Sequence, residues 1–327
     1  MPQPTTCPFC AELPEPEDKF CGACGTELTS PGEKPSARPR PRDHRELALE
    51  GVAAVSDRGL RHHRNEDAFA VSATTLPDGT PVVLAVVCDG VSTAYRPDEA
   101  AAAATESTTG SLLGALQRGA SFEDAMRDAL LTADQVVTDL AAEDSAGARA
   151  PHRIAPACTC VSAIASGKVL TVGWIGDSRA YWIPEDRSTP ASRLTEDDSW
   201  ATWMVSTGLP PEEVYADSSA HTITAWLGAG SDELDPHTTS FEPDGPGVVV
   251  VCTDGLWNYA ESAEELASAV PADARAHPLR CAQVLVEAAL DRGGRDNVTV
   301  AVLPFPVSAA RAEHEPAQAE HEPASSA

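Results

Sequence analysis

Three apolar runs in this chain end in an aspartate followed by a small residue: VVLAVVCDG (Val82–Gly90), VLTVGWIGDS (Val169–Ser178) and GVVVVCTDG (Gly247–Gly255). A fourth segment, RDNVTVAVL (Arg295–Leu303), has the mirror arrangement, with Asp296 just ahead of the run. Short Val- and Ile-rich runs bounded by Gly or Asp read as buried strands. Each carboxylate then sits where a rigid sheet meets water. One Asp-Gly pair alone is an ordinary turn. Four such ends meeting in space would repel one another unless neutralised. Oxygen ligands around a hard divalent cation are the usual remedy.

Composition narrows the function classes. The chain has 327 residues and is 42% hydrophobic, enough for a large core. A net charge of −27 leaves no broad basic face for phosphate backbones, so a general nucleic-acid binder is not expected. No run of about 18 apolar residues suggests a membrane helix. The start, MPQPTTCPFC, has neither a basic region nor an apolar signal core, and a cytoplasmic location is expected. Cys88, Cys158, Cys160, Cys252 and Cys281 lie in apolar stretches and read as small buried hydrophobes.

The chain divides into four segments. Residues 1–29 carry two CxxC pairs, Cys7/Cys10 and Cys21/Cys24, the donor set of a tetrahedral structural zinc site. This unit resembles a short zinc ribbon that would depend on its metal for folding. A disulfide pair or chance spacing is the plainer alternative. Residues 30–45 are rich in Pro and Arg and are expected to be an extended linker. Residues 46–305 hold the main domain. Residues 306–327, with AEHEPA twice, are expected to be a disordered acidic tail. Within the main domain, strands are expected at 51–56, 67–73, 82–88, 159–165, 168–175, 179–183, 248–252 and 297–303. Helices are expected at Pro97–Arg118, Ser121–Glu143, Ala263–Val270 and Pro278–Asp291. Strand groups with paired helices suggest packed sheets flanked by helices, an α+β fold.

The segment SDRGLRHHRNEDAFAV (Ser56–Val71) completes the chemical inventory, placing Glu66 and Asp67 behind Arg61, His62, His63 and Arg64. Carboxylates to hold metal beside cations to hold an anion suit hydrolysis of a phosphate ester. In order, RNED, DG, GDSRAY, LTxxxS, TDGLW and DN resemble the metal-dependent protein serine/threonine phosphatases of the protein phosphatase 2C family, bacterial type. The resemblance runs over about 260 residues, Leu47 to Phe305. It implies a four-layer αββα sandwich of two packed sheets flanked by helix pairs. It implies that Asp89 bridges two Mn or Mg ions, that the Gly90 carbonyl faces one of them, and that Asp254 and Asp296 complete the first ion's shell. Glu66 would serve the second ion with Asp67 in support, and Asp177 with Asp254 would hold a possible third. Paired cations activate water for in-line attack on phosphorus.

Some positions depart from the family pattern. Where the family usually grips phosphate with Arg, this chain has His62, a one-point donor in place of a permanent fork. Arg64, two residues on, would face the same way in an extended segment and Arg61 the other way. The expected grip is therefore His62 helped by Arg64. Asp198 stands where His is frequent, and Ala225 where Arg is frequent. Ser199–Ala220 falls where the family carries a flap beside the site, while Trp200, Trp203 and Trp226 read as packing residues. The expected function is dephosphorylation of phosphoserine and phosphothreonine in proteins, opposing a bacterial Ser/Thr kinase, with the zinc ribbon docking a protein or regulating. The alternatives are a catalytically weak binding module for a phosphoprotein and a hydrolase of small phosphate esters.

Overall fold

The computed structural model describes residues 43–144, 154–230 and 234–307. The two CxxC pairs, nearly all of the linker and the tail beyond Val307 lie outside them. Two antiparallel sheets form the centre. One has six strands in the order β1 (His44–Leu49), β2 (Val52–Asp57), β11 (Val298–Phe305), β10 (Gly247–Cys252), β7 (Arg179–Pro184) and β8 (Ser192–Arg193). The other has five, in the order β3 (Ala68–Thr75), β4 (Pro81–Gly90), β5 (Cys158–Ser166), β6 (Val169–Ile175) and β9 (His237–Phe241).

The continuous apolar runs follow from where these sheets sit. Successive side chains on a strand point to opposite faces, and here both faces are covered. Along β4, Val83, Ala85 and Val87 enter a core shared with Val249, Val251, Ala301 and Leu303 of the other sheet. Val82, Leu84, Val86 and Cys88 instead pack under α1 (Pro97–Gln117) and α2 (Phe122–Asp144). On the far side, Val248, Val250 and Cys252 of β10 pack against α6 (Ala263–Ala269) and α7 (Pro278–Asp291). The layers therefore run helix, sheet, sheet, helix. Ser121 accepts from the Asp124 backbone N–H at 3.2 Å at the start of α2, as the SFED sequence suggests.

The expected strands and helices all form, with ends shifted by a few residues, but several elements escaped the sequence. β1 begins at His44, inside the stretch expected to be linker, because this mostly exposed edge strand lacks an apolar run. β8 and β9 are short edge strands for the same reason. Two short helices, α3 (Trp200–Ser206) and α4 (Pro211–Val214), build a small lobe, and α5 (Asp254–Trp257) is a single turn that follows β10.

Candidate active site

Parity along the strands aims the acids. Asp89 shares a face of β4 with Val83, Ala85 and Val87, and Asp67 lines up with Phe69 and Val71 of β3. Both project between the sheets at the point where the shared core ends. Thr299 arrives from β11 in the other sheet, and its hydroxyl donates to Asp67 Oδ2 at 2.7 Å. Thr253 donates to the same oxygen at 3.0 Å. Asp254 enters on the first residue of α5 and receives Asn258 Nδ2 at 3.2 Å.

These acids crowd one another. Burial, then repulsion from Asp67, Asp254, Asp296 and Asp177, pushes the Asp89 carboxyl well above its ordinary range. Asp254 is raised by burial and then by Asp296, Asp177 and Asp67. Burial, with repulsion from Asp296, pushes Asp67 up to about 7. Asp177 also rises to about 7, through burial and the neighbouring Asp197. Oδ1 of Asp67 and Oδ1 of Asp254 are buried with no hydrogen-bond partner. Two orphaned oxygens inside a ring of mutually repelling acids are a deficit of positive charge. Gly90 adds a second observation: a Cβ there would lie 2.5 Å from the Pro97 carbonyl oxygen and 2.7 Å from that of Glu66. Only a bare backbone fits between the Pro97 and Glu66 carbonyls at this strand end. All-oxygen donors with buried unpaired lone pairs fit hard divalent cations. Among the described residues, no three His, Cys, Asp or Glu side chains are already drawn into a ready-made cage.

The cations beside the acids are placed differently from the expectation. His62 Nε2 lies 3.1 Å from Asp296 Oδ1, and Arg58 donates to the His62 carbonyl at 2.6 Å. Arg64 Nε pairs with Glu66 Oε1 at 2.8 Å, and its Nη1 lies 3.3 Å from Asp98. The expected grip pair is therefore turned onto the site's own carboxylates rather than held open for an anion.

Several residues that organise the site had little sequence signal. Asn297, buried beside Asp296, accepts from Glu66 N at 2.7 Å and donates to the carbonyls of Arg58 at 2.7 Å and Arg64 at 3.1 Å. One amide thus fixes the RNED segment, and the only hint was its place in the DN pair. Ser92 donates to Glu66 Oε2 at 2.8 Å. Arg179 of GDSRAY is buried, donates to both oxygens of Asp197, and stacks 3.6 Å over Trp257. Trp257 Nε1 in turn donates to the Asp177 carbonyl at 2.9 Å. Asp198, the departure from His, accepts from Gly176 N at 2.9 Å and pairs with His237 Nε2 at 2.8 Å. It anchors the turn that carries Asp177.

Comparison with known proteins shows the family and the fold. A family model described as protein phosphatase 2C matches residues 59–287. The serine/threonine protein phosphatase PstP of Mycobacterium tuberculosis is 31% identical over 146 residues, which are 44% of this chain and 26% of that protein. The match thus spans about a quarter of the curated relative's length. Among solved structures, the serine/threonine phosphatase Stp1 from Staphylococcus aureus superposes with a TM-score of 0.60 at 22% identity, covering 80% of this chain and 98% of that one. The catalytic domain of PstP in complex with two manganese ions gives 0.57 at 25% identity, covering 77% and 96%.

Proposed function

Since this chain belongs to the protein phosphatase 2C family, we propose that it hydrolyses phosphoserine and phosphothreonine esters of proteins with the help of Mn or Mg ions. The observation that carries this reading is the ring of Asp67, Asp89, Asp177, Asp254 and Asp296 with two buried oxygens left unpaired. Asp89, Asp254 and Asp296 would hold one ion and Asp89 and Glu66 with Asp67 a second, the Gly90 carbonyl would face one of these two, and Asp177 with Asp254 would hold a third. When bound, the ions supply an activated water and neutralise charge on the phosphoryl oxygens.

The chain's own residues do the positioning. Asn297 fixes the backbone at Glu66, and Ser92 orients its carboxylate. Thr253 and Thr299 hold one Asp67 oxygen and leave the other free for a cation. His62 and Arg64 keep the role of phosphate grip. Both become available to an anion once Asp296 and Glu66 are engaged by cations. The substrates would be phosphoproteins made by an opposing Ser/Thr kinase. Cys7, Cys10, Cys21 and Cys24 would hold a structural zinc in a ribbon that docks a protein or regulates, and the location would be cytoplasmic.

The test is manganese-dependent turnover of an artificial aryl phosphate, abolished by Asp254→Asn. Retained turnover in that variant, or none in the native chain, sinks the proposal and leaves a binding module. Preference for a phosphothreonine peptide over sugar phosphates separates a protein phosphatase from a small-ester hydrolase.

A further inference from the structure

Glu66 differs from its neighbouring acids in how its carboxylate is engaged. Oε1 accepts from Arg64 Nε at 2.8 Å, and Oε2 accepts from the Ser92 hydroxyl at 2.8 Å. Asp67 and Asp254 each keep one buried oxygen without a partner. The site therefore has open lone pairs on Asp67 and Asp254, while Glu66 already has a positive charge beside it. A carboxylate oxygen can accept a second partner. A divalent cation brought to Glu66, however, meets the guanidinium at close range and is repelled.

Arg64 has a second acid to move to. Its Nη1 lies 3.3 Å from Asp98 Oδ1, in the first turn of α1. The two acids that it bridges differ in depth, with the Glu66 side chain 10% exposed and that of Asp98 32%. Arg64 itself is 46% exposed, so no packed core holds its side chain in place. Leaving Glu66 costs it one charge-assisted hydrogen bond but not its other acidic partner. A guanidinium presents several donors in a rigid fork, so the Nε–H released from Glu66 can be offered to an anion while Nη1 stays near Asp98.

We propose that Arg64 is the resident counter-cation of Glu66, holding that place until the second ion displaces it. Metal and phosphate then act on one side chain. The ion frees Arg64 for the anion, and an anion that draws Arg64 off Glu66 opens the place to the ion. Linkage makes the effect reciprocal: phosphate tightens the ion by the same factor as the ion tightens phosphate. This rests on the phosphatase reading above and adds an order of assembly to it, with the ion beside Glu66 bound more weakly than the ion of Asp89, Asp254 and Asp296.

Calorimetric titration of manganese into the full chain tests this, with and without phenylphosphonate, a non-hydrolysable mimic of a phosphate ester. The native protein is expected to bind one ion tightly and another more weakly. Arg64→Gln should tighten the weaker ion about fivefold or more, and Arg61→Gln, the same charge removed nearby in the same segment, by less than about twofold. Phenylphosphonate should tighten the weaker ion about fivefold or more in the native protein and by less than about twofold in Arg64→Gln. No tightening in Arg64→Gln, equal tightening in both variants, or an equal phosphonate effect with and without Arg64 overturns the proposal. Absence of any phosphonate effect in the native protein overturns it too, and that measurement does not depend on how a variant folds. Turnover of an aryl phosphate keeps the two readings apart. Turnover without the coupling sinks the role of Arg64 alone. Coupling without turnover leaves that role standing and sinks hydrolysis, and a native protein that binds no manganese sinks both.

Discussion

At the scale of single residues, the site is a set of acids held together against their own repulsion. Removing one charge should therefore relax the metal-free fold while abolishing the response to metal. Asp254→Asn is expected to raise metal-free stability at neutral pH by about 1 kcal/mol or more. The rise in melting temperature on adding manganese should fall sharply. Thermal melts with and without the ion check both. Asn297 acts in the opposite sense. Its amide serves three backbone partners, one bond buried and two partly buried, so Asn297→Ala should cost about 1–3 kcal/mol. Denaturant titration would measure it, and a metal titration should show weaker activation as Glu66 loses its anchor. The pair of His237 and Asp198 adds a pH signature. Hydrogen bonding and attraction from Asp198, with help from Asp235 and Glu196, hold the imidazole above its usual range, against partial burial. A histidine raised in this way stabilises the fold fully below its unfolded value near 6.5. That contribution fades as pH rises through the raised value. The stability gap between the native protein and His237→Gln should accordingly shrink above pH 6.5. A gap that widens there would contradict the assignment.

At the scale of elements, the close meeting of α5 with the start of β11 matters most. A Cβ on Gly255 would lie 1.8 Å from the Asn297 carbonyl oxygen, backbone against backbone, with no flexible side chain to yield. Gly255→Ala must therefore push the turn carrying Asp254 away from the strand start carrying Asp296. We expect manganese-activated turnover to fall at least tenfold, the order of loss seen when reacting groups are misplaced by about 1 Å. The protein should still fold, with some loss of stability, because the change lies at the end of the core rather than within it. Circular dichroism beside the activity assay separates the two effects. The flap lobe shows the reverse case. Its helices α3 and α4 span only seven and four residues, too short to leave a helical period in the sequence.

At the scale of the whole molecule, β1 forms one edge of the six-stranded sheet. It pairs along its full length with β2, from His44 opposite Asp57 to Leu49 opposite Val52. Asp43 also supports the site loop, its carbonyl accepting from Arg58 N at 2.7 Å. Removing residues 1–42 should leave hydrolysis of small substrates largely intact. Removing residues 1–49 should lower the melting temperature and activity, because β2 becomes an uncovered edge and Arg58 loses its partner. Assaying both truncations on one aryl phosphate tests this boundary. If the shorter deletion alone abolishes turnover, residues before Asp43 belong to the catalytic unit.

Sequence alone determined the strands that carry the acids. Their two faces are both buried, and that writes an unbroken apolar run ending in Asp, legible without any contact. The long helices were legible too, α1 from its alanine-rich run and α2 and α7 because each must present an apolar stripe to a sheet. Tertiary structure alone decided what depends on distant parts of the chain meeting. Asn297 reaches Glu66 across 231 positions, and Thr299 reaches Asp67 across 232. No local pattern encodes such partners. The same holds for His62 and Arg64, whose chemistry the sequence displays but whose direction the neighbouring Asp296 and Glu66 set. It holds for Trp203 as well, 58% exposed where the sequence suggests packing, because an apolar residue reads alike whether buried or exposed until the size of its local core is known.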